Sequence, residues 1–205
     1  MQLSVLTSIT SELTVLGSRF IAILSPLDQK EDVDSYLVKT KKDYPKATHY
    51  CYAVRFDGYE FCSDDGEPSH SAGLPILNAL KSEGLDRCLL IVVRYFGGTK
   101  LGLPRLTKSY RDVSKICAKE AQKVEFVPGI LAKLQLDYSS FEYWKRLASK
   151  SGFEIKDPIF DSKVIFFVMG SDKILLPLLG NLMKEEILSQ EDIQIKRRLN
   201  DDSSK

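Results

Sequence analysis

The chain has 205 residues, of which 43% are hydrophobic and 28% are charged, proportions that are ordinary for a folded protein of one large or two small domains. The formal net charge of +1 excludes a polycation that coats nucleic acid along its whole surface. No apolar run approaches the roughly 18 residues that cross a bilayer, and the N-terminus lacks the basic region and apolar core of a secretory signal. The four cysteines form no CxxC pair. We therefore expect a cytoplasmic protein with reduced thiols and no membrane partner.

The first part of the chain predicts strands that alternate with helices. Apolar and polar residues alternate near the N-terminus, and the continuous apolar run at 88–93 is typical of a buried strand. The expected strands cover residues 4–9, 19–24, 48–56 and 86–95. The expected helices cover residues 28–43, 74–82 and 104–122, with Tyr44-Pro45 ending the first of them and a turn-rich loop at 63–73.

The remaining residues predict a different arrangement. The expected order is a strand at 125–136, a helix at 138–150, strands at 153–160 and 163–169, a helix at 172–186 and a last strand at 192–196. This β-α-β-β-α-β order is that of a ferredoxin-like domain. We therefore predict an α+β protein with an N-terminal domain at 1–123, a ferredoxin-like C-terminal domain at 124–198 and a polar tail at 199–205.

The helix predicted at 104–122 carries most of the local positive charge. Between residues 87 and 123 there are nine Lys or Arg side chains and two acids. At 100° per residue, the basic side chains fall on one stripe and the apolar side chains on the opposite stripe. The basic stripe consists of Arg105, Lys108, Arg111, Lys115 and Lys119, and the apolar stripe of Leu106, Tyr110, Val113, Cys117 and Ala121. Such a stripe can neutralise phosphates, or it can be a solvated helix face.

The segment from Arg94 to Gly102 joins the buried strand to this helix and is a candidate anion-binding or nucleic-acid-binding loop. Its glycines, Gly97 and Gly98, let backbone N–H groups approach a ligand, and a helix N-terminus favours anions. Arg94 and Lys100 add charge, whereas Tyr95 and Phe96 offer planes on which a base could stack. The segment matches neither GxxxxGK[ST] nor GxGxxG. The alternative is a tight turn with one aromatic side chain in the core.

An acidic loop supplies a second candidate site. Asp64, Asp65 and Glu67 lie within four residues, and oxygen ligands at that density could hold Mg²⁺ or Ca²⁺. The spacing is not that of an EF-hand, and Asp-Asp-Gly is also a common turn sequence. A further alternative is that the acids organise the loop by pairing with Arg94 or Lys100. His49 is expected to make a hydrogen bond between elements or to lie in the core.

Four segments in this order resemble the YigZ/IMPACT family. They are Tyr44-Pro-Lys-Ala-Thr-His-Tyr-Cys-Tyr-Ala53, Ser63-Asp-Asp-Gly-Glu-Pro-Ser69, Ala72-Gly-Leu-Pro-Ile-Leu77 and Val92-Val-Arg-Tyr-Phe-Gly-Gly-Thr-Lys-Leu-Gly102. The resemblance is to the bacterial two-domain form. It implies an N-terminal domain similar to the second domain of ribosomal protein S5.

Two places depart from the family pattern. The family usually reads Ser-Gly-Thr where this chain has Ser69-His70-Ser71, and Pro104 and Arg105 replace glycines at the start of the basic helix. Proline removes an N–H donor and arginine adds a charge. Contact of phosphate with side chains is therefore a better expectation than its capture by backbone N–H groups.

The resemblance also implies a function in translation, since eukaryotic family members are translational regulators. We therefore expect a non-enzymatic protein that binds RNA, the ribosome or a translation factor through its N-terminal domain, with no cofactor, no metal and no catalytic residue. The alternative is a small-molecule- or metal-dependent enzyme centred on residues 63–70, with Asp64, Asp65, Glu67 and His70 as its groups. Sequence leaves the oligomeric state open.

Overall fold

A computed structural model describes residues 3–198 of the chain. The described residues up to Glu125 form one compact unit, and Phe126–Arg197 form a second. The domain boundary predicted at 123/124 lies two residues before this division. The predicted tail at 199–205 lies outside the described residues. Within residues 3–198, no helix is both long enough and apolar enough to cross a membrane.

The strands of the first unit are β1 (Leu3–Val5), β2 (Ile9–Val15), β3 (Ser18–Pro26), β4 (His49–Phe56), β5 (Tyr59–Ser63) and β6 (Cys88–Tyr95). Strands β2 to β6 form a five-stranded antiparallel sheet in the order β2-β3-β6-β4-β5. The helices of this unit are α1 (Val33–Asp43), α2 (Gly73–Ser82) and α3 (Leu103–Glu120). Strand β1 pairs outside this sheet, with the start of β7 (Lys123–Leu136).

Both faces of this sheet are covered by helices, and the central strand β6 contacts both helical layers. Alternate side chains of β6, such as Leu90 and Val92, pack in a core cluster with residues of α2 and α3. Their neighbours Ile91 and Val93 belong to a second cluster, which includes partly buried side chains of α1 such as Leu37. The continuous apolar run that predicted a buried strand thus serves two helical layers.

Two edge strands are not found by the sequence analysis. The predicted strand at 4–9 is wrong in detail, since β1 ends at Val5 and β2 begins at Ile9. Strand β2 exposes polar side chains and β5 is largely exposed, so neither has a strong apolar signal. Both hairpins close through two residues of positive φ, Leu16-Gly17 and Asp57-Gly58, as expected for tight turns with right-handed twist.

The second unit has the predicted β-α-β-β-α-β order. After β7 come α4 (Tyr138–Ser151), β8 (Glu154–Phe160), β9 (Val164–Ser171), α5 (Asp172–Leu179) and β10 (Ile187–Arg198). Strand β7 pairs with β9 and with β10, and β9 pairs with β8. Apolar residues of this unit alone form its core, including Trp144, which is the single tryptophan of the chain.

The last helix and strand differ from the prediction of a helix at 172–186 and a strand at 192–196. Helix α5 ends at Leu179, since Pro177 lacks an N–H donor and Gly180 follows immediately. A short 3₁₀ turn at Lys184–Glu186 leads into β10, which begins at Ile187. Acidic and basic side chains on an exposed strand gave this segment a helical composition.

Candidate functional site

An ion pair between Arg94 and Glu67 lies at the centre of the candidate site. Exposed fractions are 7% for the Arg94 side chain and 4% for that of Glu67. Nη1 of Arg94 donates to Oε1 of Glu67 at 2.5 Å, and Nη2 donates to the Ser18 hydroxyl at 3.5 Å. Removing either charged partner would leave the other buried without compensation, so the pair holds the loop of Glu67 onto the end of β6. Of the pairings considered for the acidic loop, this is the one present.

Tyr110 connects the ion pair to the core. Its hydroxyl donates to the same Oε1 of Glu67 at 2.8 Å, and the Cys51 thiol donates to the Tyr110 oxygen at 3.3 Å. The Tyr110 ring packs edge-on against Phe20, with 5.1 Å between ring centroids. Burial raises the pKa of Tyr110 and also that of Cys51, so both groups stay protonated at neutral pH. They act as hydrogen-bond donors, and Cys51 is not an activated nucleophile.

Asp64 organises the acidic loop through backbone contacts. Its Oδ1 accepts from the N–H groups of Ala72 and Gly73 at 2.9 and 2.8 Å, and its Oδ2 accepts from the N–H of His70 at 2.8 Å. Partial burial opposes ionisation, but the hydrogen bonds outweigh it and hold the pKa of Asp64 below its usual value. The carboxylate thereby ties the loop to the start of α2.

Asp65 and the neighbouring His49 of β4 make further hydrogen bonds that hold the loop. Oδ2 of Asp65 accepts from the backbone N–H of Tyr50 at 2.6 Å. Nδ1 of His49 lies 2.7 Å from the carbonyl oxygen of Asp65, and its Nε2 lies 3.8 Å from Oε1 of Glu67. His49 thus connects β4 to the loop, as the sequence analysis expects.

The alternative of a metal site on the three carboxylates does not agree with these contacts. Asp64 and Asp65 accept from backbone N–H groups, whereas Glu67 pairs with Arg94. Among residues 3–198, no group of three or more His, Cys, Asp or Glu side chains is arranged to hold a metal ion. Each of the three carboxylates accepts at least one hydrogen bond from the protein, so the role observed for them is organisation of the loop.

Close contact between two glycines shapes the loop after β6. A Cβ atom on Gly97 would lie 1.9 Å from the carbonyl carbon of Gly17, far inside van der Waals contact. The Gly97 N–H also donates to the Ser18 hydroxyl at 3.2 Å. Gly98 differs, because it has a φ of +84° but open space where a Cβ would lie. The backbone at Gly97 therefore packs against the β2–β3 turn, which corrects the expectation that its N–H is offered to a ligand.

The aromatic and basic side chains of this loop have different surroundings. The Tyr95 hydroxyl donates to the Pro45 carbonyl at 3.2 Å. Phe96 is 46% exposed, with its ring centroid 5.7 Å from the Arg94 guanidinium. Lys100 is exposed, as are Gly97 and Gly98. Of the two predicted stacking planes, Phe96 is the more accessible.

A cavity of about 450 Å³ opens beside the ion pair. Arg94, Glu67 and His49 form part of its wall, and Thr48 and Lys100 also line it. The other lining residues are Pro68, Phe96, Leu101, Gly102, Leu103 and Leu106. The site therefore combines a mainly apolar wall with a few convergent polar groups, the usual composition of a small-molecule or cofactor pocket.

Helix α3 has the two faces that the sequence predicts. The apolar stripe is buried, and Arg105, Lys108, Arg111, Lys115 and Lys119 are all exposed. Only Arg111 has a salt-bridge partner among the described residues, Asp112 at 3.4 Å. The other acid of the helix, Glu120, accepts from the Ser11 hydroxyl at 2.6 Å. The basic face therefore keeps most of its charge available.

Comparison with known proteins places the chain in a family. The profile described as the Impact N-terminal domain matches residues 16–118. An IMPACT family member of Haemophilus influenzae is 30% identical over 174 residues, which cover 82% of this chain and 84% of the relative. The chain belongs to the IMPACT family.

A second relative agrees with this assignment, and one solved structure is similar in fold. An IMPACT family member of Thermus thermophilus is 42% identical over 106 residues, which cover 52% of this chain and 58% of that relative. The crystal structure of a hypothetical protein is similar with a TM-score of 0.63 and 24% identity, covering 94% of this chain and 96% of the other. This last likeness is one of fold.

In this IMPACT protein, all residues of the ion-pair network and the cavity lie within the matched segment. The sequence predicted Glu67 and Arg94 as site residues but not Ser18 or the hydroxyl contact of Tyr110. Leu103 was also not predicted, because its exposure at the start of α3 is visible only in the structure.

Proposed function

We propose that this IMPACT protein is a translation-associated, RNA-binding protein whose N-terminal unit contacts RNA phosphates through α3. The observation that carries the proposal is the exposed basic face of that helix. Its five cations lie on one side of the helix, and Arg111 is the only one of the five with a salt-bridge partner among residues 3–198. A cation without a carboxylate partner can neutralise a phosphate with no loss of an existing ion pair.

RNA is favoured over a protein translation factor because the positive charges are spaced along the length of α3. Arg105, Lys108 and Lys115 extend along an 18-residue helix, which is about 27 Å long at 1.5 Å per residue. A series of spaced cations suits a polyanionic backbone better than a compact protein surface, whose interface core is usually poor in lysine. The role of eukaryotic family members in translation supports ribosomal or messenger RNA as the target.

Reversing three charges on α3 tests the proposal. We expect the triple variant K108E/R111E/K115E to bind single-stranded RNA much more weakly than the parent, measured by filter binding over a range of salt concentrations. Each neutralised phosphate contributes roughly 0.7 to the slope of log K against log salt, so losing three contacts lowers the slope by about 2.

A matched control is available on α1 and the turn after it. Lys39, Lys42 and Lys46 are exposed and have no salt-bridge partner among the described residues. The variant K39E/K42E/K46E changes the net charge by the same amount but leaves the basic face of α3 unchanged. It should therefore keep most of the binding. Equal binding by the parent and the α3 variant at low salt would refute the proposal, and equal losses in both variants would show only a dependence on net charge.

A further inference from the structure

The cavity beside Glu67 and Arg94 is suited to a largely uncharged ring. Arg94 cannot serve as a free cation for an anion, because it is paired with Glu67 and its guanidinium lies 5.4 Å from the Phe20 ring centroid and 5.7 Å from that of Phe96. Lys100 is the one exposed cation of the wall within the part of the chain that the structure describes. A bound anion would therefore contact a single exposed positive charge, whereas an apolar ligand would contact most of the cavity wall.

The apolar surface includes one aromatic plane. Phe96 lines the cavity and is 46% exposed, while Leu101, Leu103 and Leu106 supply aliphatic walls. Stacking on an accessible aromatic side chain holds a base of any sequence, because every base has a π-face. A planar heterocycle can therefore use both the ring of Phe96 and the leucine side chains.

The polar wall offers an acceptor to such a ring. Oε1 of Glu67 already accepts from Arg94 and Tyr110, but Oε2 has no hydrogen-bond partner among residues 3–198. This oxygen suits an amino group and repels a carbonyl oxygen. Cytosine carries an amino group at the position where uracil carries a carbonyl, so the two pyrimidines differ at the atom that such an acceptor would meet.

We infer that this cavity binds one unstacked nucleobase that carries an exocyclic amino group. The base stacks on Phe96, its amino group donates to Oε2 of Glu67, and Lys100 contacts an adjacent phosphate. The inference deepens the proposed function and rests on it for the source of the base, an RNA strand whose remaining phosphates lie on α3. The binding site thus has a base pocket at one end and a phosphate track along the helix.

Three octamers of equal phosphate number test the pocket: oligocytidine, oligouridine and an abasic strand. Fluorescence anisotropy at a fixed salt concentration gives their dissociation constants. We expect the parent to bind oligocytidine about tenfold more tightly than the abasic strand, the factor that corresponds to roughly 1.4 kcal/mol of stacking and hydrogen bonding. Oligouridine should fall between the two. Equal affinity for oligocytidine and oligouridine would overturn the assignment of an amino group to Glu67.

Variants of Phe96 separate the base from the phosphates. The substitution Phe96→Ala should bring oligocytidine to the affinity of the abasic strand and leave the abasic affinity unchanged, whereas Phe96→Tyr should restore the preference. Because the side chain is half exposed, both variants should melt close to the parent. A preference for oligocytidine that survives Phe96→Ala would place the base elsewhere and overturn the inference.

The variant K108E/R111E/K115E and free cytidine monophosphate distinguish failure of the pocket from failure of the proposed function. The α3 variant should weaken all three octamers by the same factor and keep their ratio. Octamer binding without any dependence on the base would overturn the pocket and leave the proposed function standing. A further outcome is that no octamer binds, but cytidine monophosphate raises the melting temperature of the parent and not that of the Phe96→Ala variant. This outcome would overturn the proposal that the protein binds RNA and would support the base pocket.

Discussion

Two adjacent glycines in the loop after β6 have different structural requirements. Gly97 touches the backbone of Gly17, so a Cβ atom there cannot be accommodated without moving one of the two chain segments. Gly98 needs only its positive φ, since nothing lies within 4 Å of the position of its Cβ atom. The first requirement concerns packing between segments, and the second concerns local backbone conformation alone.

Alanine substitutions should separate these requirements. We expect Gly97→Ala to lower the free energy of unfolding by about 3 kcal/mol or more, because overpacking forces the backbone to shift. Gly98→Ala should lower it by only about 1–2 kcal/mol, the usual energy of a left-handed conformation for a residue with a Cβ atom. Urea denaturation followed by circular dichroism gives both values. Similar losses in the two variants would contradict the close contact described for Gly97.

The acidic loop is held to α2 by Asp64. Its carboxylate accepts from the N–H groups of Ala72 and Gly73, at the start of the helix, and from that of His70. The negative charge also lies where the helix dipole favours it. Asp64 therefore acts as a cap from outside the local helix sequence, which explains why the pattern of the segment did not predict it.

The contribution of this cap should depend on pH. The pKa of Asp64 is lower in the folded protein than its unfolded value of about 3.9, so its stabilisation is full above that pH and is lost as the pH falls through the folded pKa. In Asp64→Asn, an amide N–H₂ would face the N–H of His70 in place of an acceptor. We expect this variant to be less stable by on the order of 2 kcal/mol at pH 7.

Denaturant titrations of the parent and the Asp64→Asn variant at pH 7 and near pH 3 measure this effect. The difference in unfolding free energy should shrink at the lower pH. Asp43→Asn is a control, because Asp43 is exposed at the end of α1 and accepts no hydrogen bond among the described residues. A difference between parent and Asp64→Asn that is independent of pH would indicate a purely steric effect.

Sequence patterns predicted those elements whose signal is local. The buried run of β6, the two faces of α3 and the end of α1 before Tyr44-Pro45 all follow from the order of residues along the chain. The edge strands β2 and β5 were missed because their side chains are largely exposed. The contact of Ser18 with Arg94 follows from the register of β3 against β6, which no local pattern specifies.

The hydrophobic core clusters of the two units do not share residues. The two clusters of the first unit contain residues up to Ala121, and the cluster of the second begins at Ile130. Each unit therefore has a core of its own, which is the condition for unfolding as a separate cooperative unit. Strand β7 contributes its first residues to pairing with β1 and its later residues to pairing with β9.

The position of Trp144 makes this separation measurable. The single tryptophan belongs to the second core, so its fluorescence reports that unit, whereas far-ultraviolet circular dichroism reports both. We expect the fluorescence and dichroism curves to have different midpoints in urea, and calorimetry to show two transitions. Removing the tryptophan signal with Trp144→Phe should leave the transition of the first unit unchanged. Coincident curves by both probes would show that the chain unfolds as one unit.

The contact between the β2–β3 turn and the loop after β6 also has a consequence for the order of assembly. The bond from the Gly97 N–H to the Ser18 hydroxyl joins residues 79 apart in the chain, and β3 must already pair with β6 for it to form. Closing so long a loop loses entropy before the contact is made. We therefore expect the strand that carries Arg94 to be in place before the loop that carries Phe96. A chain folded to that stage would have the charged side chain of the site but not yet the aromatic wall of its cavity.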